Sequence, residues 1–576
     1  MALFTTILGS ALLATIAKAI VTSIAVFALQ TVAQAFMKKP KSQTQSMDFE
    51  QTINRRLRNG VPLEVLVGRR IVAGVGAFDD SYGTNDEYGL SITIASAKPC
   101  TAFHTFFMDG EEVTLSGDPT AGQVNVTSHF LGKNNAVRAT VRIFLGDDNS
   151  GLGEYLNSKF PTKFAAADDF GDYCVIILEC RNTNDDIGDE NDPEAQQGKN
   201  YIPFQGFPTY SAELSGAAIC DPRLPGFDYA DEDTYVYSDN AVLIDAQFDY
   251  GWYSGVGAGR ALIVGNGYPV ELMGLDRVES GADYCDTENF TCAGILRSAQ
   301  KSDQEEIWKC FNGDRVELPS GVFTVPEGDR QTFGAIDMSL YPAAYVADFD
   351  AEGFSTEVYN EIKTSYAEPT ERYGEKDLPI YSKAEWIAND NHIPRQMDLP
   401  LLFVTDKVQA GKLEKQEIYI SRAASTTVIT DLPFGFIQVS VGDIVTITNS
   451  DVPGVNSRVW VVKGRGQSTR GDVSLILSEY GGTEAFAFDT ETETPAPIVV
   501  TPDVREWDSR VIGDAVPTGG FSGVYNNIGV ISDLTGGTLD IPDLTINSRG
   551  TGLAADLTAS DTSVGRTDSL VAGTLD

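Results

Sequence analysis

Two widely separated stretches carry the same pattern: short apolar runs, rich in β-branched residues, broken by glycine or by polar turns. The first starts at Leu63 with "LEVLVGRRIVAGVGAF" and "EYGLSITIAS". The second starts near Leu399, with "DLPLLFVT", "KQEIYISR", "FIQVSVGDIVTITN", "RVWVVKGRG" and "DVSLILSEY". Runs this short, marked by turns, bury themselves as strands, so the chain reads as β-rich at both ends of its middle part. "DYCVIILECR" is apolar without interruption and predicts a strand buried on both faces. "AVRATVRIFLG" alternates apolar and basic residues, as a strand with one wet face would. "HTFFMDGEEVTL" places Asp109–Gly110 between apolar runs, a hairpin signal.

The remaining segments differ. Residues 1–37 predict one long helix, with Leu12, Ile16, Ile20, Ile24, Leu29 and Val32 at steps of three to five and Pro40 just beyond. Its stretch "TIAKAIVTSIAVFALQTVAQAFMKKPK" permits a membrane anchor, a signal peptide or a helix buried in protein. Lys18 interrupts the apolar run and no basic residue precedes it, against a signal peptide. Alanines with Thr22, Ser23, Gln30 and Gln34 suit close helix contact. Residues 41–52 read as a polar linker, 182–199 as an acidic solvated loop, and 211–330 as mixed short helices and irregular chain. Beyond Glu491 the chain is rich in Thr, Gly, Asp and Ser and reads as an extended tail.

At 576 residues several domains are expected. The formal charge of −40 repels nucleic acid and anionic membrane, which argues against a DNA-reading role; adaptation to salty surroundings is the plainer explanation. Seven cysteines are too few for a disulfide framework in a chain of this length. No G-x-S-x-G elbow or phosphate-binding loop occurs. "GVGAGR" at 255–260 reads as a turn-rich loop. His104, His129 and His392 are far apart and form no ligand pair. "DFDAEGFSTEVY" starts like a calcium loop through Asp348, Asp350, Glu352 and Gly353, but Tyr359 stands where a bidentate glutamate is needed. Cys285, Cys292 and Cys310 lack the C-x-x-C spacing of a metal site and read as packed thiols. The expectation is no catalytic, cofactor-binding or metal-binding residue.

An ordered series of local patterns over residues 54–480 resembles one family, the central tail-tip hub proteins of long-tailed phages: the J-type proteins of lambda-like phages, with relatives in gene transfer agents. "NRRLRNGVPLEVLVGRRIVAGVGAF" resembles the opening strand pair. "AAICDPRLP" and "YSDNAVLIDAQFDY" resemble the "YDPR" element and the "W-S-x-N-P-A-L" helix, with Tyr237 for the tryptophan and no proline after Asn240. "ADYCDTENFTCAGIL" is similar to the paired "CDE" and "YTCNG" elements. "FNGDRVELPSG" resembles the "G-x-W-x-L-x-x-G" hairpin, with Arg315 in the aromatic position. "VYNEIKTSYAEPTERYGEKDLPIY" resembles the start of a second barrel passage, and "VGDIVTITNSDVPGVNSRVWVV" with "LSEY" the barrel ending.

The resemblance implies a mainly β fold with an α/β insertion, built on two related β-barrel domains and assembled as a trimeric ring. The expected division is an apolar helix over 1–40, a first barrel over 41–210, an α/β insertion over 211–395, a second barrel over 396–490 and the tail over 491–576. It implies a hub in the virion, at the distal end of a tail, assembled in the host cytoplasm and not an enzyme. The implied partners are two further copies, distal tail protein, tape-measure protein, and fibre or tip proteins. DNA would pass only in transit, and residues 1–37 would contact the host membrane in a second role. The competing readings are a tail-associated envelope hydrolase and a membrane-anchored bacterial surface protein.

Overall fold

A computed structural model describes residues 63–488, apart from 85, 129, 132–135, 150, 169, 182–206, 256–259, 298–300, 319–320, 351–357 and 424, together with the strand Arg56–Leu57. The helix expected over 1–37, the acidic loop 182–199 and the tail 491–576 lie outside these residues. Among the described residues no helix is long and apolar enough to cross a membrane.

The fold is mainly β. Its first part runs β1 (Arg56–Leu57), β2 (Glu64–Val67), β3 (Arg69–Val72), β4 (Val75–Tyr82), β5 (Tyr88–Ser96), β6 (Ala102–Met108), β7 (Glu111–Val113), β8 (Val124–Asn125), β9 (Ala139–Phe144), helix α1 (Leu152–Lys159), β10 (Cys174–Arg181) and β11 (Tyr210–Ser215). A six-stranded sheet, β1-β4-β5-β10-β9-β8, faces a four-stranded sheet, β3-β11-β6-β7. On β10, Cys174, Ile176 and Leu178 enter the core between the sheets. The alternate residues Val175 and Ile177 pack under α1 against Leu152 and Leu156. Both phases of the period-two strand are therefore covered, and the unbroken apolar run is explained. The basic face of β9 is less wet than its alternation suggests, because Arg142 lies over the rings of Phe144 and Tyr155. The hairpin turn is as expected: Asp109 and Gly110 both have positive φ, at 46° and 78°, as a two-residue turn of matching twist requires.

The opening stretch forms two successive strands around Gly68, β2 and β3, which do not pair with each other. β2 pairs with β14 (Gly294–Arg297) and β3 with β11, in different sheets. Gly68 between them has φ of 63°, and an added Cβ would lie 2.2 Å from the Cys292 carbonyl oxygen. A side chain is excluded there by conformation and by space.

The middle part holds α2 (Ala241–Tyr250), β12 (Trp252–Ser254), β13 (Ala261–Val264), α3 (Leu275–Glu288), β14, α4 (Lys301–Lys309) and the hairpin β15 (Gly313–Leu318) with β16 (Gly321–Pro326). Every residue of α2 is buried. Its core takes Val65 and Val67 from β2 and Phe403, Ala410 and Leu413 from far along the chain.

The last part begins with β17 (Thr332–Asp337) and β18 (Tyr345–Asp350). Then follow β19 (Glu361–Glu368), β20 (Gly374–Asp377), β21 (Tyr381–Ser382), α5 (Ala384–Asn389), β22 (Gln396–Leu401), α6 (Lys407–Arg422), β23 (Thr426–Leu432), β24 (Ile444–Thr448), β25 (Val459–Gln467) and β26 (Val473–Glu479). A second six-stranded sheet has the order β17-β24-β25-β26-β23-β18. Ile336 of one edge strand and Val346 of the other meet the same core around Trp460 and Leu475, so the sheet curls about its own apolar face. This sheet takes strands from either side of position 396. Residues 361–382 leave it and form a separate sheet with β22, on which α6 packs through Ile418.

"KQEIYISR" is the end of α6 and not a strand. Asp406 caps that helix by accepting a hydrogen bond from the Gln409 N–H, and Ala410, Leu413 and Ile418 face inward. The cap lies upstream of the run, so its local alternation misled. Ion pairs join the curled-sheet region to the centre: Asp314 of the β15–β16 hairpin with Lys463 of β25 at 2.6 Å and with Arg330, just before β17, at 2.7 Å, and Arg277 of α3 with Asp443, just before β24, at 3.1 Å.

Gly68→Ala is expected to destabilise the protein by about 2 kcal/mol or more, because the left-handed conformation and the backbone clash act together. Gly122→Ala has nothing within 4 Å of the new Cβ and serves as the control, expected within about 0.5 kcal/mol. Urea midpoints of the two variants check this.

Candidate functional site: a polar junction around the buried helix

Buried helices leave N–H groups and polar side chains that need partners within the protein. At the start of α2, Asn240 Oδ1 accepts from the N–H groups of Val242 and Leu243 at 3.1 and 3.3 Å. Its Nδ2 donates to the Ala282 carbonyl and to Asp286 Oδ1, at 2.9 and 2.7 Å. Asp286 also accepts from Arg223 Nη1 at 2.7 Å. Arg223 makes a forked contact with Asp221, through Nε at 3.0 Å and Nη2 at 2.9 Å, and reaches Asp283 at 2.8 Å. The elements "CDPR", "SDNAVL" and "YCDTENFTC" thus meet at one helix cap. The N–H of Ala241 donates to the Phe290 carbonyl at 3.3 Å. A proline at position 241 could not make that bond.

Further along α2, Asp245 and Asp249 point into the protein. Arg315 Nη2 donates to Asp249 Oδ1 at 2.8 Å, and its Nη1 contacts Oδ2 of the same carboxylate. Asp245 accepts from Trp308 Nε1 at 2.8 Å and from Gln304 at 3.1 Å, as well as from the Thr324 hydroxyl. Asn266 donates to Asp249 at 2.9 Å. Arg315 of the β15–β16 hairpin is therefore the counter-ion of the buried helix. It keeps some aromatic contact, since its guanidinium lies 5.9 Å from the Tyr268 ring and 5.8 Å from the Trp308 ring. Burial, and then the neighbouring Asp249, pushes the Asp245 carboxyl up to about 6. Burial opposes the charge on Arg315, but its bond to Asp249 and the field of both aspartates hold its pKa above the usual value.

These groups satisfy one another, so the junction can position and lock segments. Asp245, Asp249, Gln304 and Trp308 were not singled out in the sequence. The available signal was "LIDAQFDY": two acids four apart in a mainly apolar run that also holds Gln247.

The residues weighed for metal or acid–base chemistry are not brought together. Among the described residues, no group of three or more His, Cys, Asp or Glu is placed to hold a metal ion. His104 contacts the Ser215 hydroxyl at 2.8 Å, and burial lowers its pKa. His392 lies on a turn with φ of 60°. His129 lies outside the described residues, as do most of "GVGAGR" and the middle of the calcium-like loop; Asp348 and Asp350 sit on β18. All seven cysteines are buried and free.

No protein-family model matches the chain, and no curated protein matches it. Solved structures do show a likeness. A chain of the virion of a native gene transfer agent particle is 13% identical, with a TM-score of 0.45, over 75% of this chain and 88% of that one. The tail protein from Neisseria meningitidis is 12% identical, with a TM-score of 0.25, over 70% and 99%. A 43 kDa prophage tail protein from Shewanella oneidensis is 9% identical, with a TM-score of 0.25, over 74% and 95%.

Arg315→Met is expected to cost about 3–5 kcal/mol, because it leaves two buried carboxylates without their cation. Arg223→Ala is expected to cost less, about 1–2 kcal/mol, because its side chain is 22% exposed against 10% for Arg315. Denaturant titrations at unchanged slope check the order. A pH test uses Glu414 on α6, whose burial, against the Thr364 hydroxyl and Tyr381 backbone, pushes its carboxyl up to about 8. A raised folded-state pKa gives stability that is full below about 4.5 and is lost as pH rises through about 8. Glu414→Gln lacks that loss, so its stability relative to wild type should climb between about pH 5 and about pH 9. A flat difference would show that Glu414 is charged in the folded protein.

Proposed function

We propose that this protein is a structural component of a phage-type tail, acting as the hub of the tail tip. The observation that carries the reading is the convergence around α2. Four sequence elements that resemble hub motifs, far apart in the chain, meet there, and their charged residues bind one another. Motif residues used in this way hold a shape. The arrangement of strands supports the same reading: a sheet-built core, a mixed centre and a curled sheet occur in the order the resemblance implies.

In this role three copies would form a ring that continues the tail tube, with the sheet-built parts as its barrels. The ring would hold back DNA and tape-measure protein, and differential contacts at its interfaces would let it open on attachment. Closed symmetry would also cover strand edges that one copy exposes. The acidic balance suits a channel that DNA crosses without sticking, if the acids line it.

Light scattering on the purified chain should give the mass of three copies at micromolar concentration. Mass spectrometry should find the chain in purified particles, with antibody label at one tail end. Its absence from particles would sink the tail reading, and label along the tail would sink the hub reading.

A further inference from the structure

We infer that the turn between β19 and β20 is a releasable clasp: a strained connection whose Arg372 and Tyr373 grip one face of the four-stranded sheet and let it go without the rest of the protein unfolding. Both residues have left-handed backbone, with φ of 60° each. That conformation is costly for any side chain, and most of all for a bulky one. Two in succession persist only where surrounding contacts hold them. Here the side chains supply those contacts. The Tyr373 hydroxyl donates to Glu213 Oε1 of β11 at 2.8 Å. Tyr373 and Ala367 of β19 pack against Ile71 of β3 and Phe107 of β6. The Arg372 guanidinium lies 6.0 Å from the Phe107 ring. A Cβ added to Gly110 would lie 3.2 Å from Arg372 Nη1, so this side chain also reaches the β6–β7 turn. Two neighbouring residues thus bridge the adjacent strands β3, β11 and β6.

The grip is small, and it covers a second unfavourable feature. Its apolar part is a cluster of four side chains, separate from the larger cores. Beside it Arg70 of β3 is buried, with the Tyr373 ring 5.8 Å from its guanidinium. Arg70 Nη1 donates to the Ala293 carbonyl at 2.9 Å and to the Leu402 carbonyl at 2.7 Å. Its Nε has no partner, and burial lowers its pKa to about 10. Arg223, Arg277, Arg315 and Arg330, at the other junctions, each meet a carboxylate. Among the described residues no carboxylate lies within ion-pair distance of Arg70.

Lifting Tyr373 admits water to the Arg70 guanidinium and lets two left-handed residues relax, so both unfavourable features are relieved on opening. The loss is one hydrogen bond and a four-residue apolar contact. Segments balanced in this way open on their own, below the free energy of global unfolding. The opening is confined to the turn and the sheet face it covers. β19 stays in place through its pairing with β22 and through the Ala367 N–H, which donates to the Val404 carbonyl at 3.0 Å. Nothing in the clasp depends on the tail reading.

The test is hydrogen exchange of the purified full chain, read by mass spectrometry. The reporters are the N–H groups of Arg372 and Tyr373, which donate to the Pro369 and Glu368 carbonyls at 3.1 and 2.8 Å. In the wild type they should exchange at a rate that low urea leaves unchanged, while amides of β24 to β26 speed up with urea. Tyr373→Phe keeps the ring and removes the hydroxyl. It should speed the two turn amides about tenfold and leave β24 to β26 unchanged. Arg70→Met removes the uncompensated cation and should slow the same amides several-fold, the opposite of what losing a supporting arginine would do. Turn amides that follow urea with the slope of β24 to β26, or that ignore Tyr373→Phe, would overturn the clasp. Faster turn exchange in Arg70→Met would overturn it as well. Should Arg70→Met fail to fold, the wild-type urea series and Tyr373→Phe decide alone.

Discussion

A ten-residue helix buried on every side organises the centre of this protein, and it is stable there because Asn240 at its cap and Asp245, Gln247 and Asp249 along it all have partners. Leu243, Ile244 and Phe248 supply apolar contact, but Asn240, Asp245, Gln247 and Asp249 would each be costly to bury alone. Gln247 accepts from the Cys220 N–H at 3.1 Å and donates to the Gly251 carbonyl at 3.2 Å. Asn240 reaches α3, and the two aspartates reach α4 and the β15–β16 hairpin. Four segments are thus wound around one helix in a defined register. Apolar packing alone would tolerate several registers, whereas unmatched buried charge makes the wrong ones unstable.

The other parts are attached to this centre by different means. The first sheet pair is attached through β2, whose Val65 and Val67 belong to the central core, and through the tight turn at Gly68. The curled sheet is attached through a smaller apolar contact, with Val316, Phe323 and Val325 beside Val441, reinforced by Arg330, Asp314 and Lys463. A chain with a net charge of −40 has few cations, yet Arg223, Arg277, Arg315 and Arg330 stand where segments meet. Buried pairs of this kind are screened by salt far less than exposed ones.

Where one strand or turn decided the outcome, the sequence was legible. The β10 run, the Asp109–Gly110 hairpin and the strands β24 to β26 follow from local periodicity and turn chemistry. The polar junction was legible only in pieces. "CDPR", "SDNAVL" and "CDTENFTC" could be recognised one by one, but nothing local showed that Arg223 reaches Asp286 or that Arg315 reaches Asp249, sixty residues or more away. The end of α6 was misread because a short apolar alternation fits a strand as well as a helix, and the deciding cap lies several residues upstream.

The sequence by itself determined that this chain is β-rich in two stretches with a mixed centre, because strand periodicity and glycine-marked turns are written over a few neighbouring residues. It also determined the strongly acidic character, which needs only counting. The tertiary structure alone decided that β2 and β3 go to different sheets, that β17 and β18 join strands more than seventy-five residues further on, and which carboxylate each arginine meets. Those outcomes depend on space left by distant segments and on the cost of leaving a buried charge unmatched. Neither quantity exists until the chain has folded back on itself.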